Sequence, residues 1–355
     1  MLQDIATPTP PASNPAQIAA QIAAQLSAHT PAQTPARTAA DLHQPFKAAH
    51  ADFVARARQL VPRGDAGFGS CLPAGAQGPL HLEAVQPGFA YWETLGYQIP
   101  LLERMFMGSN ASPQLVWDGE LFSALAALPF ADFPMSAFKL LCPYREAFPQ
   151  MAILRPYLRG RKILIVGSQS YWLELFCAIG GAAEITTVEY REITWTTPPV
   201  CQARLQTLRW DAYIADLGRH LGVYDLVLSY SSIEHSGLGR YGDPVTPLGD
   251  LLTFLLMSRC MKPTGMSAHA VPVGQDLTHF NAHRIYGQRR IRALEQIGAQ
   301  RFLGIVSPGA ADLVDDEVDE LKSGWSLAKL ARLPLGDYRQ PMLCFGGNDF
   351  STERY

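Results

Sequence analysis

A doubly wound α/β sheet, mostly parallel and finishing on an antiparallel strand, is the architecture this sequence predicts. Three observations carry that prediction. From Lys162 onward, near-continuous apolar stretches alternate with segments of helical periodicity, the rhythm of strands covered by helices on both faces. The stretch KILIVGSQSYWLELFCAIG, residues 162–180, runs from strand through tight turn into helix, the opening unit of a nucleotide-binding sheet. The last two strand candidates are joined by a long irregular connection, DLVDDEVDELKSGWSLAKLARLPLGDYRQ, which suits an antiparallel finish at the sheet's end.

The strand candidates are KILIVG (162–167), ITTVEY (185–190), YDLVLSY (224–230), MSAHAVPV (266–273), RFLGIV (301–306) and PMLCFGG (341–347). Residues 156–355 are expected to form this sheet domain. Residues 46–155 read as an N-terminal helical appendage, with helical pieces such as FKAAHADFVARARQL beside Gly/Pro-rich turns and the aromatic phrase FAYWETLGYQIPLLERMF. Aromatic runs of this kind form core, and beside a nucleotide-binding sheet they also form substrate lids. Residues 1–45 are dominated by Ala, Pro, Thr and Gln and are expected to be a disordered tail, because they bury too little to offset ordering entropy. Within them Ile18, Ile22 and Leu26 recur every fourth residue between Pro15 and Pro31, a short helix on a helix-forming background. A transit peptide would want more arginine than Arg37 alone before Lys47.

Composition narrows the function. The 355 residues are 48% hydrophobic, enough for a sizeable core, and the formal charge of -3 is spread without a long basic run, so nucleic acid is not an expected partner. Arg289, Arg290 and Arg292 form the densest basic cluster and read as a solvated helix face. The six cysteines include no CxxC pair and read as reduced, mostly buried thiols. No apolar run reaches the roughly 18 residues of a membrane span, and the start lacks a secretory pattern. A soluble cytoplasmic protein is the expectation.

Ligands of such sheets collect beyond the carboxyl ends of the strands, where the loop after the first strand is the principal contact. Here that loop is Gly167-Ser168-Gln169-Ser170. A dinucleotide needs further glycines so that backbone can approach its pyrophosphate, whereas a ligand with a carboxylate and no phosphate relaxes that demand and still meets a helix start. S-adenosylmethionine is such a ligand. Glu189, about twenty residues on at the end of the second strand, suits both hydroxyls of a ribose. Asp216, ahead of the strand 224–230, is expected near an adenine amino group, with a helix-cap aspartate as the plainer reading.

The ordered phrases VGSQS, VEY, AD, YDLVLSYSSIEH and MKPTGM resemble the motif series of class I S-adenosylmethionine-dependent methyltransferases. SSIEHSGLGRYGDP, VPVGQD and FNAHRIYG resemble, more specifically, a methyltransferase-like family known only as a domain of unknown function. The likeness covers about Arg161 to Val306. It implies a Rossmann-like methyltransferase sheet that binds S-adenosylmethionine, with Glu189 at the ribose, Asp216 at adenine, and Ser229 to Ser231 at the methionine end; Tyr190, next to Glu189, is expected among the cofactor contacts. The sequence departs from the family where Gly-x-Gly becomes Gly167-Ser168-Gln169, and where the Lys-Pro-Gly-Gly turn reads Lys262-Pro263-Thr264-Gly265.

Methyl transfer to a hydroxyl wants a base, and histidine suits it near neutrality. His283 or His235, beside Glu234, is expected in that role, with Arg284 and Arg240 orienting the acceptor. His279, Asn281 and Tyr286 are expected on the same rim. The loop of Gly237, Gly239 and Gly242 with Arg240, Tyr241 and Asp243 reads as shaped over the site, or as a solvent loop. His279 and His283 lack a carboxylate or cysteine at ligand spacing, so no metal is expected. The acceptor expected is a small molecule or glycan-like hydroxyl compound. Two rivals stay open: a nicotinamide-dependent oxidoreductase or epimerase, and a non-catalytic binding or scaffold protein.

Overall fold

The computed structural model describes residues 39–61, 87–103, 114–130, 138, 141–241, 243–306 and 326–351. The repeat at Ile18 to Leu26, Cys71, Gly242 and most of the connection between the last two strands lie outside the described residues.

Seven strands build the main sheet: β1 (Lys162–Val166), β2 (Glu184–Glu189), β3 (Arg204–Arg209), β4 (Tyr224–Tyr230), β5 (Met261–Ala270), β6 (Arg301–Val306) and β7 (Met342–Gly346). Across the sheet they run β6-β7-β5-β4-β1-β2-β3. The first five are mutually parallel, and β7 is antiparallel to both β5 and β6. The last strand in sequence therefore does not stand at the sheet's end but inserts between β5 and β6, leaving β6 on the edge. β3 escapes the sequence pattern for a physical reason: RLQTLR sits on the opposite edge, and its residues alternate between exposed and half-buried, so it lacks the apolar run of an inner strand.

Both faces of the sheet are covered. In β1, Leu164 and Val166 join one core while Ile163 and Ile165 join the other, the period-two consequence of a pleated strand. Burying each such branched chain contributes about 1.5–3 kcal/mol. The first face is closed by α1 (Ala39–Leu60), α6 (Trp210–Ala215), α7 (Gly249–Cys260) and α8 (Gln288–Gly298). The second is closed by α3 (Gly119–Ala126), α4 (Ala147–Leu154) and α5 (Trp172–Ile179). Helix α1 runs across the boundary expected at residue 45. Its Ala49, Phe53 and Ala57 recur every four residues, all fully buried, as one stripe of a docked helix must. Asp52 of α1 pairs with Arg259 of α7 at 2.6 Å.

The segment 46–155 thus feeds both cores. Its short helix α2 (Pro87–Glu93) ends on Glu93, which is fully buried with Asp250, Arg284 and Arg290. Glu93 accepts from Arg284 Nε at 2.7 Å and Nη2 at 2.9 Å, from Arg290 Nη2 at 2.8 Å and from the Leu248 amide at 2.9 Å. Arg290 is accordingly no solvated residue. It shares the inward stripe of α8 with Leu294 and Ile297, and its charge is matched inside the molecule.

Of the six cysteines, Cys142, Cys177, Cys260 and Cys344 are buried and Cys201 is half-buried, all as free thiols. No helix among the described residues is long and apolar enough to cross a membrane.

Candidate functional site

Register brings the site together. Val166 of β1 pairs with Val188 of β2, and Glu189 pairs with Arg209 of β3, so the loop after β1, the tip of β2 and the start of α6 emerge side by side. Beyond these ends, and beyond β4, lies a cavity of about 400 Å³, the crevice that strand reversal opens in a doubly wound sheet. Gly167, Ser168, Gln169, Ser170, Glu189 and Tyr190 all line it.

Gly167 turns the corner at φ +78, and its amide donates to Val188 O at 2.9 Å. A Cβ there would lie 1.8 Å from Ser232 Oγ, so conformation and packing both require glycine. The next amide, of Ser168, donates to Glu189 Oε2 at 2.9 Å, and the Arg191 side chain approaches Oε1 at 3.4 Å. The Ser168 hydroxyl points inward, 3.1 Å from Glu174 Oε2, and Thr187 donates to Glu174 Oε1 at 2.8 Å. Burial pushes this Glu174 carboxyl up to about 7, although both hydroxyls favour its charged form. Glu174 had a signal in the sequence, as the one acid within the apolar helix WLELFCAI.

The β2–β3 side of the cavity carries a flat surface. Tyr190, 39% exposed, stacks on Trp210 with centroids 5.5 Å apart and planes 13° from parallel. Trp210 opens α6 directly after β3, so it was hidden with the strand itself. Asp216 does not reach the cavity. It follows the far end of α6, ahead of the amino end of β4, and pairs with Arg219 at 2.8 Å; the plainer reading, an aspartate at a helix end, is the one that holds.

At the β4 end, Ser231, Ser232, His235 and Asp243 line the cavity. Ser231 holds φ +48, a costly conformation for a residue with a Cβ. Its hydroxyl donates to Glu234 Oε1 at 2.8 Å. Ser229 is not at the surface of the cavity: it is fully buried inside β4 and bonds His269 Nδ1 of β5 at 2.9 Å. Asp243 accepts from the amides of Gly237 at 2.7 Å, Tyr241 at 3.1 Å and Gly239 at 3.2 Å. It holds the loop from inside, and Tyr241 of that loop stands with it in the cavity wall.

His235 is buried, and Nδ1 lies 2.6 Å from Ala282 O. That bond sets the tautomer: Nδ1 carries the proton and Nε2 the lone pair, 3.5 Å from Glu234 Oε1. Burial, then Arg240, holds the ring well below the usual histidine pKa. Arg240 Nη1 donates to Ala282 O at 3.2 Å and lies against the Tyr241 ring. His283 is not a cavity residue. It sits behind His235 on a short strand (His283–Ile285), its ring 6.3 Å from that of His235 and 5.3 Å from that of His279. Arg284 is likewise removed from any acceptor, fully buried, with Nη1 on Ser236 O at 2.7 Å and Nε on Glu93. Tyr286 is buried as well, donating to Asp250 at 2.9 Å. No group of three or more His, Cys, Asp or Glu residues able to hold a metal occurs among the described residues.

Part of the remaining wall comes from the segment ahead of the sheet. Tyr144 packs 4.7 Å from Tyr230, which stands 5.0 Å from Trp172, and all three line the cavity. Tyr144 belongs to the segment ahead of the sheet, and no local pattern marks it.

A seven-stranded sheet of this order, with an antiparallel β7 and a cavity over β1, β2 and β4, is a doubly wound, Rossmann-like architecture. The model of a family described as "Caenorhabditis protein of unknown function, DUF268" matches residues 160–307, the stretch that holds the loop after β1 and the FNAHRIYG phrase. None of the curated proteins compared matches the chain. Among solved structures, the chain is similar to the 1,6-didemethyltoxoflavin-N1-methyltransferase of Burkholderia thailandensis, at 14% identity and TM-score 0.36, over 57% of this chain and 78% of that one. It is similar to an S-adenosylmethionine-dependent methyltransferase from Mesorhizobium loti at 11% identity and TM-score 0.33, over 55% and 94%. Phosphoethanolamine N-methyltransferase 2 of Haemonchus contortus is matched at 15% identity and TM-score 0.30, over 43% of this chain and 36% of that one.

Proposed function

We propose that this protein is an S-adenosylmethionine-dependent methyltransferase acting on a hydroxyl group of a small-molecule or glycan-like acceptor. The observation that carries the reading is how the loop after β1 spends its polar groups. The Ser168 amide, which a pyrophosphate would need, is given to Glu189. Among the described residues, Arg191 is the one arginine or lysine lining the cavity, and it pairs with the same carboxylate. A phosphate-free adenosine ligand fits such a cavity; a dinucleotide does not. Glu189 keeps acceptor capacity for ribose hydroxyls, since an ionised carboxylate offers roughly four lone-pair sites. The stacked Tyr190 and Trp210 offer a face to an adenine ring.

When bound, S-adenosylmethionine supplies a methyl group already activated by its sulfonium charge, so the protein's main task is positioning, worth up to roughly 7–11 kcal/mol. Tyr144, Tyr230 and Tyr241 offer ring faces, and Tyr144 and Tyr241 hydroxyls, suited to a flat or sugar-like acceptor, the Tyr230 hydroxyl being given to Gln150. His235, neutral and with its Nε2 lone pair held in place, is the candidate to take the acceptor's proton. Arg240 stands next to it at the rim.

Thermal denaturation in the presence of S-adenosylmethionine, its demethylated product or NAD tests the donor. The first two are expected to raise Tm and NAD to leave it unchanged. A shift with NAD alone would favour the nicotinamide enzyme, and no shift with any of them the scaffold. For the base, His235→Gln is expected to lower turnover by about 10²-fold or more with the donor-induced shift retained; unchanged turnover removes His235 from that role.

A further inference from the structure

Glu234 is set apart from the other buried carboxyls near the cavity by what surrounds it. Glu93 and Asp250 face Arg284 and Arg290 inside the ion cluster. Asp243 has three backbone amides, and Glu174 two hydroxyls. Glu234 is fully buried, Oε1 takes the Ser231 hydroxyl at 2.8 Å, and Oε2 is buried without a hydrogen-bond partner. Its immediate neighbours Ser231 and His235 are both cavity wall, so the carboxyl stands one side chain behind the surface a ligand would touch.

The charged and titratable groups around it do not neutralise a carboxylate. His235 is held neutral, Arg284 contacts Glu234 through the latter's backbone carbonyl, and Tyr144, Tyr230, Tyr241 and Tyr286 bring no positive charge. Arg240 helps, but its Nη1 is turned to Ala282 O and the His235 ring. Burial therefore prevails over the Ser231 hydroxyl, Arg240 and the nearby amides, and the carboxyl is pushed up to about 7.

We propose that Glu234 is the cavity's counter-charge for a cationic ligand: protonated when the site is empty or holds a neutral group, it releases its proton as a cation enters and so favours a sulfonium donor over the neutral thioether product. The exchange balances: the O–H bond of Glu234 breaks, its electron pair stays on the carboxylate, and the proton passes to solvent buffer while the ligand brings one positive charge. This rests on the donor reading above and assigns a determinant of specificity within that site. The strained φ of Ser231 has a use in this arrangement, since it keeps the hydroxyl between the carboxyl and the cavity.

The test is calorimetric titration of the full chain with S-adenosylmethionine and with S-adenosylhomocysteine, at pH 6 and pH 8 and in two buffers of different ionisation heat. For the wild type, the sulfonium ligand is expected to release a proton that the thioether does not, and its affinity to rise by up to about tenfold for each unit of pH increase below neutrality, levelling off above it. In Glu234→Gln that extra release and the pH slope should vanish, and the preference for sulfonium over thioether should fall about tenfold. Equal proton release by the two ligands in the wild type, or release unchanged in Glu234→Gln, overturns the inference while leaving the donor reading intact. Absence of binding by either ligand to the folded chain overturns both.

Discussion

Replacing Glu93 by alanine is expected to cost about 3–5 kcal/mol of folding stability, the range for removing one partner of a buried ion pair, measured as a fall in the midpoint of urea denaturation. The reason is the charge left behind. Arg284 and Arg290 are fully buried, and both lean on Glu93, with Arg284 at 2.7 Å and Arg290 at 2.8 Å. The Leu248 amide and Thr278 hydroxyl lose their acceptor too. The pH dependence carries a sign. Burial alone would raise the Glu93 carboxyl, but Arg284 and Arg290 overcome it and lower it from 4.5 to about 2. Its contribution is therefore present above pH 4.5 and lost as pH falls towards 2. Glu174 and Glu234, both raised to about 7 by burial, act in the opposite sense: their contribution is present below 4.5 and lost as pH rises through 7. Glu93→Ala should thus flatten the acid limb of the stability profile and leave the neutral limb. A wild-type acid limb preserved in the variant would contradict this.

The second large effect is expected at Gly167. An alanine there must hold φ +78 with its Cβ 1.8 Å from Ser232 Oγ and 2.5 Å from Ser232 Cβ. The left-handed conformation costs about 1–2 kcal/mol, and the overlap must be relieved by parting the β1 loop from the turn after β4. Those two segments are adjacent walls of the cavity, so donor affinity should fall by at least about tenfold, since a displacement worth 1.4 kcal/mol is already that much. Gly160 supplies the comparison. It holds φ +71 with nothing within 4 Å of the added Cβ, so Gly160→Ala should lose similar conformational energy and keep donor binding. Equal affinities in the two variants would mean that the Gly167 corner does not shape the pocket.

What the sequence disclosed follows from which forces are local. Apolar runs locate buried strands whatever surrounds them, so β1, β2, β4, β6 and β7 are legible within a residue or two; the edge strand β3, half polar by position, is not. Gly167 and Glu189 were found because a strand end and a turn are short-range features. Asp216 and Ser229 face away from the cavity, because one helix end for another, or a shift of one residue in a strand, redirects a side chain. Arg284 and His283 were misplaced for a longer-range reason. Arg284 is claimed by Glu93, 191 positions away, and the short strand carrying His283 tucks behind His235 rather than onto the rim. Arg290 had a usable signal in its spacing from Leu294 and Ile297. Tyr144 had none.

An adenosine is expected to lean its sugar on Glu189, in a cavity that shows no phosphate cradle among the described residues. Titration of S-adenosylmethionine into wild type and Glu189→Ala measures it most directly. Losing charge-assisted hydrogen bonds worth about 1.5–3 kcal/mol each should weaken binding by roughly ten- to over a hundredfold, with a smaller stability change because the Ser168 amide sits at the cavity edge and can turn to water. Equal affinity in the two proteins, with both folded, would contradict the account.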